Sequence, residues 1–210
     1  MSNLDFLKPF PSKIVCIGLN YKSHAEEVGI PLPEEPLFFL KPTSSLIGDG
    51  DTIILPKESE KVEFEAELAC IVGEKMKNTK PEEVLGKLKG FICCNDITAR
   101  DLQKKDNQWT RAKGFDTFCA VGPKIVPVDA IDPNNAKIQS YLNGELKQDS
   151  MTSEFIFKLE EAISYVSHIM TLMPGDIIST GSPPGVCPMK SGDEIEVRIE
   201  GVGSLKNKCE

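Results

Sequence analysis

Val62-Glu63-Phe64-Glu65-Ala66-Glu67-Leu68-Ala69-Cys70-Ile71-Val72 alternates with period two. Successive side chains of a strand point to opposite faces, so Val62, Phe64, Ala66, Leu68, Cys70 and Val72 share one face and Glu63, Glu65 and Glu67 the other. The acidic face continues into Ala69 and Ile71, so it is not simply solvated. Carboxylates two apart on a strand lie roughly 7 Å from one another and repel. Two arrangements relieve this. A hard divalent cation takes oxygen ligands, and two strand carboxylates can converge on one ion. Alternatively the face is a polar exterior neutralised by Lys61, Lys75 and water.

Outward from this stretch, fifteen prolines and sixteen glycines cut the chain into short pieces, most of which read as strands. These are 13–18, 37–40, 51–55, 91–94, 119–122, 125–126, 138–142, 145–147, 176–180 and 193–199. Asn143-Gly144 between two of them predicts a hairpin with a type I′ turn. Helical patterns are fewer. Residues 81–89 start on a proline, and 155–171 carry Phe155, Leu159, Ala162, Ile163, Val166, Ile169 and Met170 near helical spacing, with Ser153 as cap and Pro174 as stop. Many strands with few helices predict an α+β, β-rich sandwich, barrel or roll with peripheral helices. Strict βα alternation is missing, which disfavours Rossmann and TIM layouts, and no glycine-rich stretch matches GxGxxG or a P-loop. There is no internal repeat. The economical reading is an N-terminal arm over 1–12 and a single domain over 13–210.

Composition narrows the function classes. The net charge of −8 repels phosphate backbones and argues against nucleic acid as a partner. No apolar run approaches the roughly 20 residues of a membrane span, and the first residues carry no secretory pattern. Seven cysteines, an odd number without a CxxC, read as reduced thiols of a cytoplasmic protein, with Cys93-Cys94 a buried strand pair.

Two further segments carry candidate chemistry. Asp96 follows the apolar run 91–94, at a strand end, where an acid is either a metal ligand or the cap of a helix over 97–104. His168 falls inside the long helical pattern and reads as structural. His24 stands in Ser23-His24-Ala25-Glu26, an S-x-x-E capping box followed by Gly29 and three prolines. Glu27 lies three residues from His24 on the same face. A carboxylate beside an imidazole raises its basicity and fixes its tautomer, as a general base requires; the alternative is an exposed surface histidine. Arg100, Arg111 and Lys113 stand within fourteen positions in an otherwise acidic chain, which suits an anionic substrate.

Taken together the sequence resembles the fumarylacetoacetate hydrolase family, closest to its short single-domain acylpyruvase and oxaloacetate decarboxylase type. The resemblance rests on Cys16-Ile17-Gly18-Leu19-Asn20-Tyr21-Lys22-Ser23-His24, Leu37-Phe38-Phe39-Leu40-Lys41-Pro42, Glu65-Ala66-Glu67-Leu68, Asn95-Asp96-Ile97-Thr98-Ala99-Arg100-Asp101, Lys113-Gly114-Phe115-Asp116 and residues 174–186. It implies a mixed β-sheet roll, a homodimer and one Mg²⁺ or Mn²⁺ per subunit. By position it implies Glu65, Glu67 and Asp96 as metal ligands, with Glu63 outside the ligand set. His24 and Glu27 correspond to a water-activating dyad on a segment that closes as a lid. Lys113 corresponds to the lysine that stabilises enolate or oxyanion charge, Arg100 and Gln103 to substrate-side positions, and Thr180 to a residue that holds a substrate carboxylate. Tyr21 belongs to the motif without a defined role. The implied reaction is metal-dependent C–C hydrolysis of acylpyruvates. Oxaloacetate decarboxylation and isomerisation or decarboxylation of 2-hydroxyhepta-2,4-diene-1,7-dioate are the alternatives, all on a small anionic 2-oxo acid.

Overall fold

The acidic stretch forms the middle of the larger of two packed sheets. The structure is a computed structural model and describes residues 4–23, 25, 29 and 31–210. The seven-stranded sheet runs β2 (Leu37–Lys41), β1 (Ile14–Gly18), β12 (Ile177–Ser179), β6 (Ala66–Val72), β7 (Leu88–Asp96), β9 (Cys119–Val126) and β3 (Leu46–Ile47). Its β1–β12 and β3–β9 pairs are parallel and the rest antiparallel. A five-stranded sheet runs β11 (Glu145–Met151), β10 (Lys137–Leu142), β13 (Glu194–Ile199), β14 (Gly203–Cys209) and β4 (Thr52–Ile53). β5 (Val62–Glu63) and β8 (Thr98–Ala99) form a separate pair. The fold is β-rich with mixed sheets and few helices, as the strand count predicts.

The sheets pack face to face, β10, β13 and β14 lying against β6, β7 and β9. The predicted apolar face of the acidic stretch, from Val62 to Val72, enters this larger core together with Phe91, Ile138, Val197 and Leu205. Ala69 and Ile71 enter a smaller core on the opposite face, with Ile14, Cys16, Ile92, Cys94 and Ile177. Leu7 is buried there, and Leu4 and Phe6 pack against it. A strand covered on both faces carries apolar residues on both, which explains why the acidic face gives way to Ala69 and Ile71.

Four sequence expectations are corrected. The helix over 81–89 is shorter: Pro81–Val84 is α-helical, Leu85–Lys87 is a 3-10 turn, and Leu88 and Lys89 already belong to β7. The stretch 62–72 is not one strand: it breaks at Phe64 and Glu65 into β5 and β6. The Glu65 N–H turns to the Asn95 side chain and the Ala66 N–H to the Gln148 side chain, so neither continues a ladder. Residues 155–171 are not one helix either. A 3-10 turn, Thr152–Glu154, precedes the helix proper, Leu159–Ile169, whose N-cap is Lys158 and not Ser153. Phe155 is held extended by a bridge to Tyr21, and the Ile156 and Phe157 N–H groups bond to Asn20, which delays the helix by a turn. Burying its Leu159, Ile163 and Val166 contributes roughly 1.5–3 kcal/mol each. Asp96 is the last residue of β7; the next helix is Arg100–Lys105 with Ala99 at its N-cap, so Asp96 is not a cap. The hairpin forms as predicted, with Asn143 and Gly144 both at positive φ, 52° and 81°. All seven cysteines are free, and Cys93 and Cys94 are buried neighbours on β7.

The register sets the site. β6 begins where antiparallel β7 ends, with Glu67 opposite Cys94 and Ala66 opposite Asn95. β12 and β1, parallel to each other, end at the same edge of the sheet. Glu65, Glu67, Asp96 and the 179–181 corner therefore converge.

Candidate metal centre

Glu65, Glu67 and Asp96 are all buried, and one carboxylate oxygen from each lies within 4.8 Å of the others. The break in front of β6 lets the Glu65 side chain turn towards Glu67. Lys113, at the end of the short helix Thr110–Lys113, donates to Glu65 Oε2 at 2.8 Å and to Asp96 Oδ2 at 2.6 Å. Lys41, the last residue of β2, is 2% exposed. It donates to Asp96 Oδ1 and to the carbonyls of Ile97 and Phe118 at 3.1 and 2.6 Å. Arg100 opens the helix after β8. Its Nε donates to Glu63 Oε2 at 2.6 Å, one Nη to Glu65 Oε1 and the other to Gln103 Oε1 at 2.5 Å. Glu63 is buried, paired with Arg100 and with Lys61 at 3.1 Å, and sits outside the converging set, as the resemblance implies.

Glu67 differs from its neighbours. Its Oε2 accepts from the Ser179 hydroxyl and from the Gly181 N–H at 3.0 Å, and no cation bonds to it among the described residues. Gly181 sits at φ 94°, and a Cβ there would come 2.9 Å from Asn20 Cβ, so the close approach of this backbone requires glycine. Burial, reinforced by the charges of Asp96 and Glu65, pushes the Glu67 carboxyl well above the ordinary carboxylate range. Burial acts on Glu65 in the same sense, but Lys113 and Arg100 outweigh it and hold that carboxyl well below the range. Burial also opposes the charge on Lys113, and the Asp96 and Glu65 carboxylates reverse this and raise it. Three buried carboxyls supply only hard oxygen donors, and one of them has no positive partner. That donor set fits a divalent cation of the Mg²⁺ or Mn²⁺ kind.

The cluster forms the floor of a cavity of about 430 Å³. Arg100, Gln103, Lys61 and Lys104 line one part, and Ile17, Gly18 and Leu19 another. Phe39 and Trp109, in edge contact at 5.4 Å between centroids, form an aromatic wall beside Val186, and Ser182 and Glu63 also line the cavity. The Lys113 ammonium lies 4.9 Å from the Phe39 ring centroid, which ties that wall to the carboxylates.

Glu65, Glu67, Asp96, Lys113, Arg100 and Gln103 are brought together. His24 and Glu27 lie outside the described residues. Thr180 is 2% exposed and off the cavity wall; its hydroxyl donates to the Leu68 carbonyl at 2.8 Å, and Ser182 lines the cavity instead. Arg111 does not join Arg100 and Lys113. It faces outward and pairs with Asp106 at 2.6 and 2.7 Å. Tyr21 is buried edge-on against Phe155, 5.0 Å between centroids, and its hydroxyl has no partner among the described residues. His168 closes the helix Leu159–Ile169 at the surface. Lys41, Ser179, Ser182 and Trp109 were not legible as site residues. Lys41 stands in a family-like motif, but a lysine after an apolar strand reads as the point where the chain meets water.

Residues 13–210 match the family model described as fumarylacetoacetate (FAA) hydrolase C-terminal. The chain belongs to the fumarylacetoacetate hydrolase family. An uncharacterised protein of Methanocaldococcus jannaschii is 53% identical over 197 residues, covering 94% of this chain and 82% of that one. The mitochondrial oxaloacetate tautomerase FAHD2B of Bos taurus is 44% identical over 219 residues, covering 99% of this chain and 70% of its own length. The crystal structure of 2-hydroxyhepta-2,4-diene-1,7-dioate isomerase from Mycobacterium marinum superposes with a TM-score of 0.88 at 40% identity, covering 95% of this chain and 75% of that one. The chain is thus a member of an enzyme family whose similar members include a tautomerase and an isomerase.

Proposed function

We propose that this protein is a divalent-metal-dependent enzyme acting on small, enolisable 2-oxo acids, with keto–enol tautomerisation of oxaloacetate as its leading reaction. The observation that carries this reading is the convergence of Glu65, Glu67 and Asp96 on the floor of a cavity whose walls supply Arg100, Gln103 and Lys113. Glu65, Glu67 and Asp96 would hold Mg²⁺ or Mn²⁺, which supplies Lewis-acid polarisation of a carbonyl and stabilises developing negative charge. The names of the bovine relative and the mycobacterial structure support the reaction type, since both activities relocate a proton in an unsaturated oxo or hydroxy acid.

The chain's own residues then have separable tasks. Arg100 spends three of its five N–H donors on Glu63, Glu65 and Gln103 and keeps two, and Gln103 accepts through its oxygen and leaves its NH₂. Both can bind and orient a substrate carboxylate. Lys113 spends two of its three N–H donors on Glu65 and Asp96 and keeps one at the cavity floor, where it can stabilise an oxyanion as it forms. The aromatic wall of Phe39 and Trp109 excludes water from one side of the substrate. His24, with Glu27 as its partner, is the proposed base that holds the proton in transit. That dyad favours a second reading, C–C hydrolysis of acylpyruvates, in which the same base activates water. A cytoplasmic homodimer accompanies both readings.

A panel of oxaloacetate, acetylpyruvate, fumarylpyruvate and 2-hydroxyhepta-2,4-diene-1,7-dioate, each with Mg²⁺ and with EDTA, tests the proposal. With Mg²⁺ the protein should accelerate interconversion of enol and keto oxaloacetate above the rate in the same buffer without protein, and EDTA should remove that acceleration. Release of pyruvate from acetylpyruvate at a higher kcat/KM than oxaloacetate tautomerisation would replace the first reading by the second. Turnover unaffected by EDTA would remove both.

A further inference from the structure

The break at Phe64 and Glu65 leaves two buried peptide N–H groups without strand partners, and two side-chain amides take them. Asn95 Oδ1 accepts from Glu65 N at 3.0 Å, and Gln148 Oε1 accepts from Ala66 N at 3.0 Å. Gln148 comes from β11 in the other sheet and is fully buried. Its oxygen also accepts from the Ser140 hydroxyl at 2.9 Å, and its NH₂ donates to Ser182 Oγ at 2.8 Å and to the Pro183 carbonyl at 2.7 Å. Both lone pairs and both hydrogens are used. A reversed amide would set its NH₂ against the Ala66 N–H, so the partners themselves fix its orientation.

We propose that Gln148 is a positioning residue for the metal site, holding the backbone between Glu65 and Glu67 in register with the cavity wall at Ser182. This rests on the reading of the acidic cluster as a metal site. Ala66 is the one residue between two candidate ligands, and Ser182 lines the cavity. A tie between two apolar sheets needs only an apolar side chain, because a buried amide is unfavourable unless every hydrogen bond is made. The amide is therefore explained by what it connects. Its oxygen sets the spacing of the carboxylates, and its NH₂ sets the loop that closes the cavity. Partners of this kind orient metal ligands without touching the ion.

Two substitutions separate the arms. Gln148→Met keeps the length and removes all four bonds. Gln148→Glu keeps an oxygen for Ala66 and Ser140 and replaces the NH₂ that donates to Ser182 Oγ and the Pro183 carbonyl. Calorimetric titration of the whole chain with Mg²⁺, melting temperature, and kcat and KM for oxaloacetate are read in parallel. Gln148→Met should weaken Mg²⁺ binding by about tenfold or more. A smaller loss, whatever the melting temperature, overturns the proposal, because a purely structural tie lowers stability and spares the ion. Should Gln148→Met fail to fold, Gln148→Glu decides. Mg²⁺ affinity within about threefold of the parent, with KM for oxaloacetate raised about tenfold or more, supports the assignment. A smaller rise in KM, or loss of Mg²⁺ binding, overturns it. A parent chain that binds no Mg²⁺ removes the metal reading itself. A parent that binds it, matched by Gln148→Met, removes only the role of Gln148.

Discussion

The two ends of β6 are equally buried and are stabilised in opposite ways. At its far end Ala69, Cys70, Ile71 and Val72 fill two cores, and nothing there needs a charge. At its near end Glu65, Glu67 and Asp96 are buried among Lys41, Lys113 and Arg100. Burial alone would expel three carboxylates, so that end persists through charge pairing. The pairing is incomplete, since Glu67 has hydrogen-bond donors but no cation among the described residues. A finished core at one end of β6 and an unfinished charge cluster gathered at the other mark where a structure is built to receive something.

The sharpest way to break that contrast is Glu67→Gln. The amide retains the shape and can accept from Ser179 and Gly181, but it is a weak ligand for a hard cation. Mg²⁺ binding should fall by on the order of 100-fold or more and metal-dependent turnover should disappear, with the fold intact by circular dichroism. Calorimetry reporting parental Mg²⁺ affinity for this variant would mean that Glu67 is no ligand. The next largest effect concerns the base. His24→Ala should lower acylpyruvate hydrolysis by about 10²–10⁴-fold, and Glu27→Gln should lower it less, because the imidazole remains and loses only its partner. Metal-dependent decarboxylation of oxaloacetate, measured in the same preparations, should fall much less, since it needs no activated water. Equal losses on both reactions would assign His24 to holding substrate. At the other end of β6, Ile71→Ala should cost about 2–5 kcal/mol in urea unfolding and leave Mg²⁺ affinity unchanged. Weakened Mg²⁺ binding in that variant would show that the two ends are not independent.

Much of this contrast was legible in the sequence. The period-two alternation from Val62 to Val72 placed the apolar face correctly, and Ala69 and Ile71 signalled that the second face is not simply solvated; the structure buries both. Asp96 at the end of an apolar run reads from the residues alone as either a ligand or a cap, and only the resemblance joins it to Glu65 and Glu67; their convergence comes from the antiparallel register of β6 and β7. The break before β6 was not legible, because its partners, Asn95 and Gln148, lie 30 and 82 residues away and their side-chain amides carry no local pattern. Ser182 standing at the cavity in place of Thr180 has a related reason. Which hydroxyl of a strand-end loop faces the cavity depends on the turn at Gly181, whose positive φ redirects the chain into Ser182. The late start of the helix Leu159–Ile169 had the same origin, since the docking of Phe155 on Tyr21 overrides helical spacing.

A smaller effect separates Glu65 from Glu67 by pH. The Glu67 carboxyl, raised above its ordinary value of 4.5, stays protonated in the folded chain where the unfolded chain has lost the proton. Stability of the metal-free protein therefore falls as pH rises above 4.5, by up to about 1.4 kcal/mol per pH unit, until the raised folded value is passed. Glu65 has the opposite sign. Its depressed folded value gives stability that is complete above 4.5 and is lost as pH falls through that folded value. Urea unfolding in EDTA between about pH 5 and 8 should show the decline in the parent and a flatter profile in Glu67→Gln. Parallel profiles for the two proteins would mean that Glu67 is already ionised in the folded state.

The smallest expected effect lies outside the cavity. Arg100, Arg111 and Lys113 are close in sequence, and two of them reach the carboxylates while the third does not. Arg111 is more than half exposed, its guanidinium is engaged by Asp106, and none of its atoms lines the cavity. An exposed ion pair contributes little to folding, and its field at the cavity is screened within about 8–10 Å at ordinary salt. Arg111→Ala should therefore leave the melting temperature, Mg²⁺ affinity, kcat and KM for oxaloacetate at parental values. A KM raised by more than about threefold at low salt, and restored neither by Mg²⁺ nor by higher ionic strength, would put its charge on the substrate's approach path. The contrast would then run between the inner and outer halves of one basic segment, not between the two ends of β6.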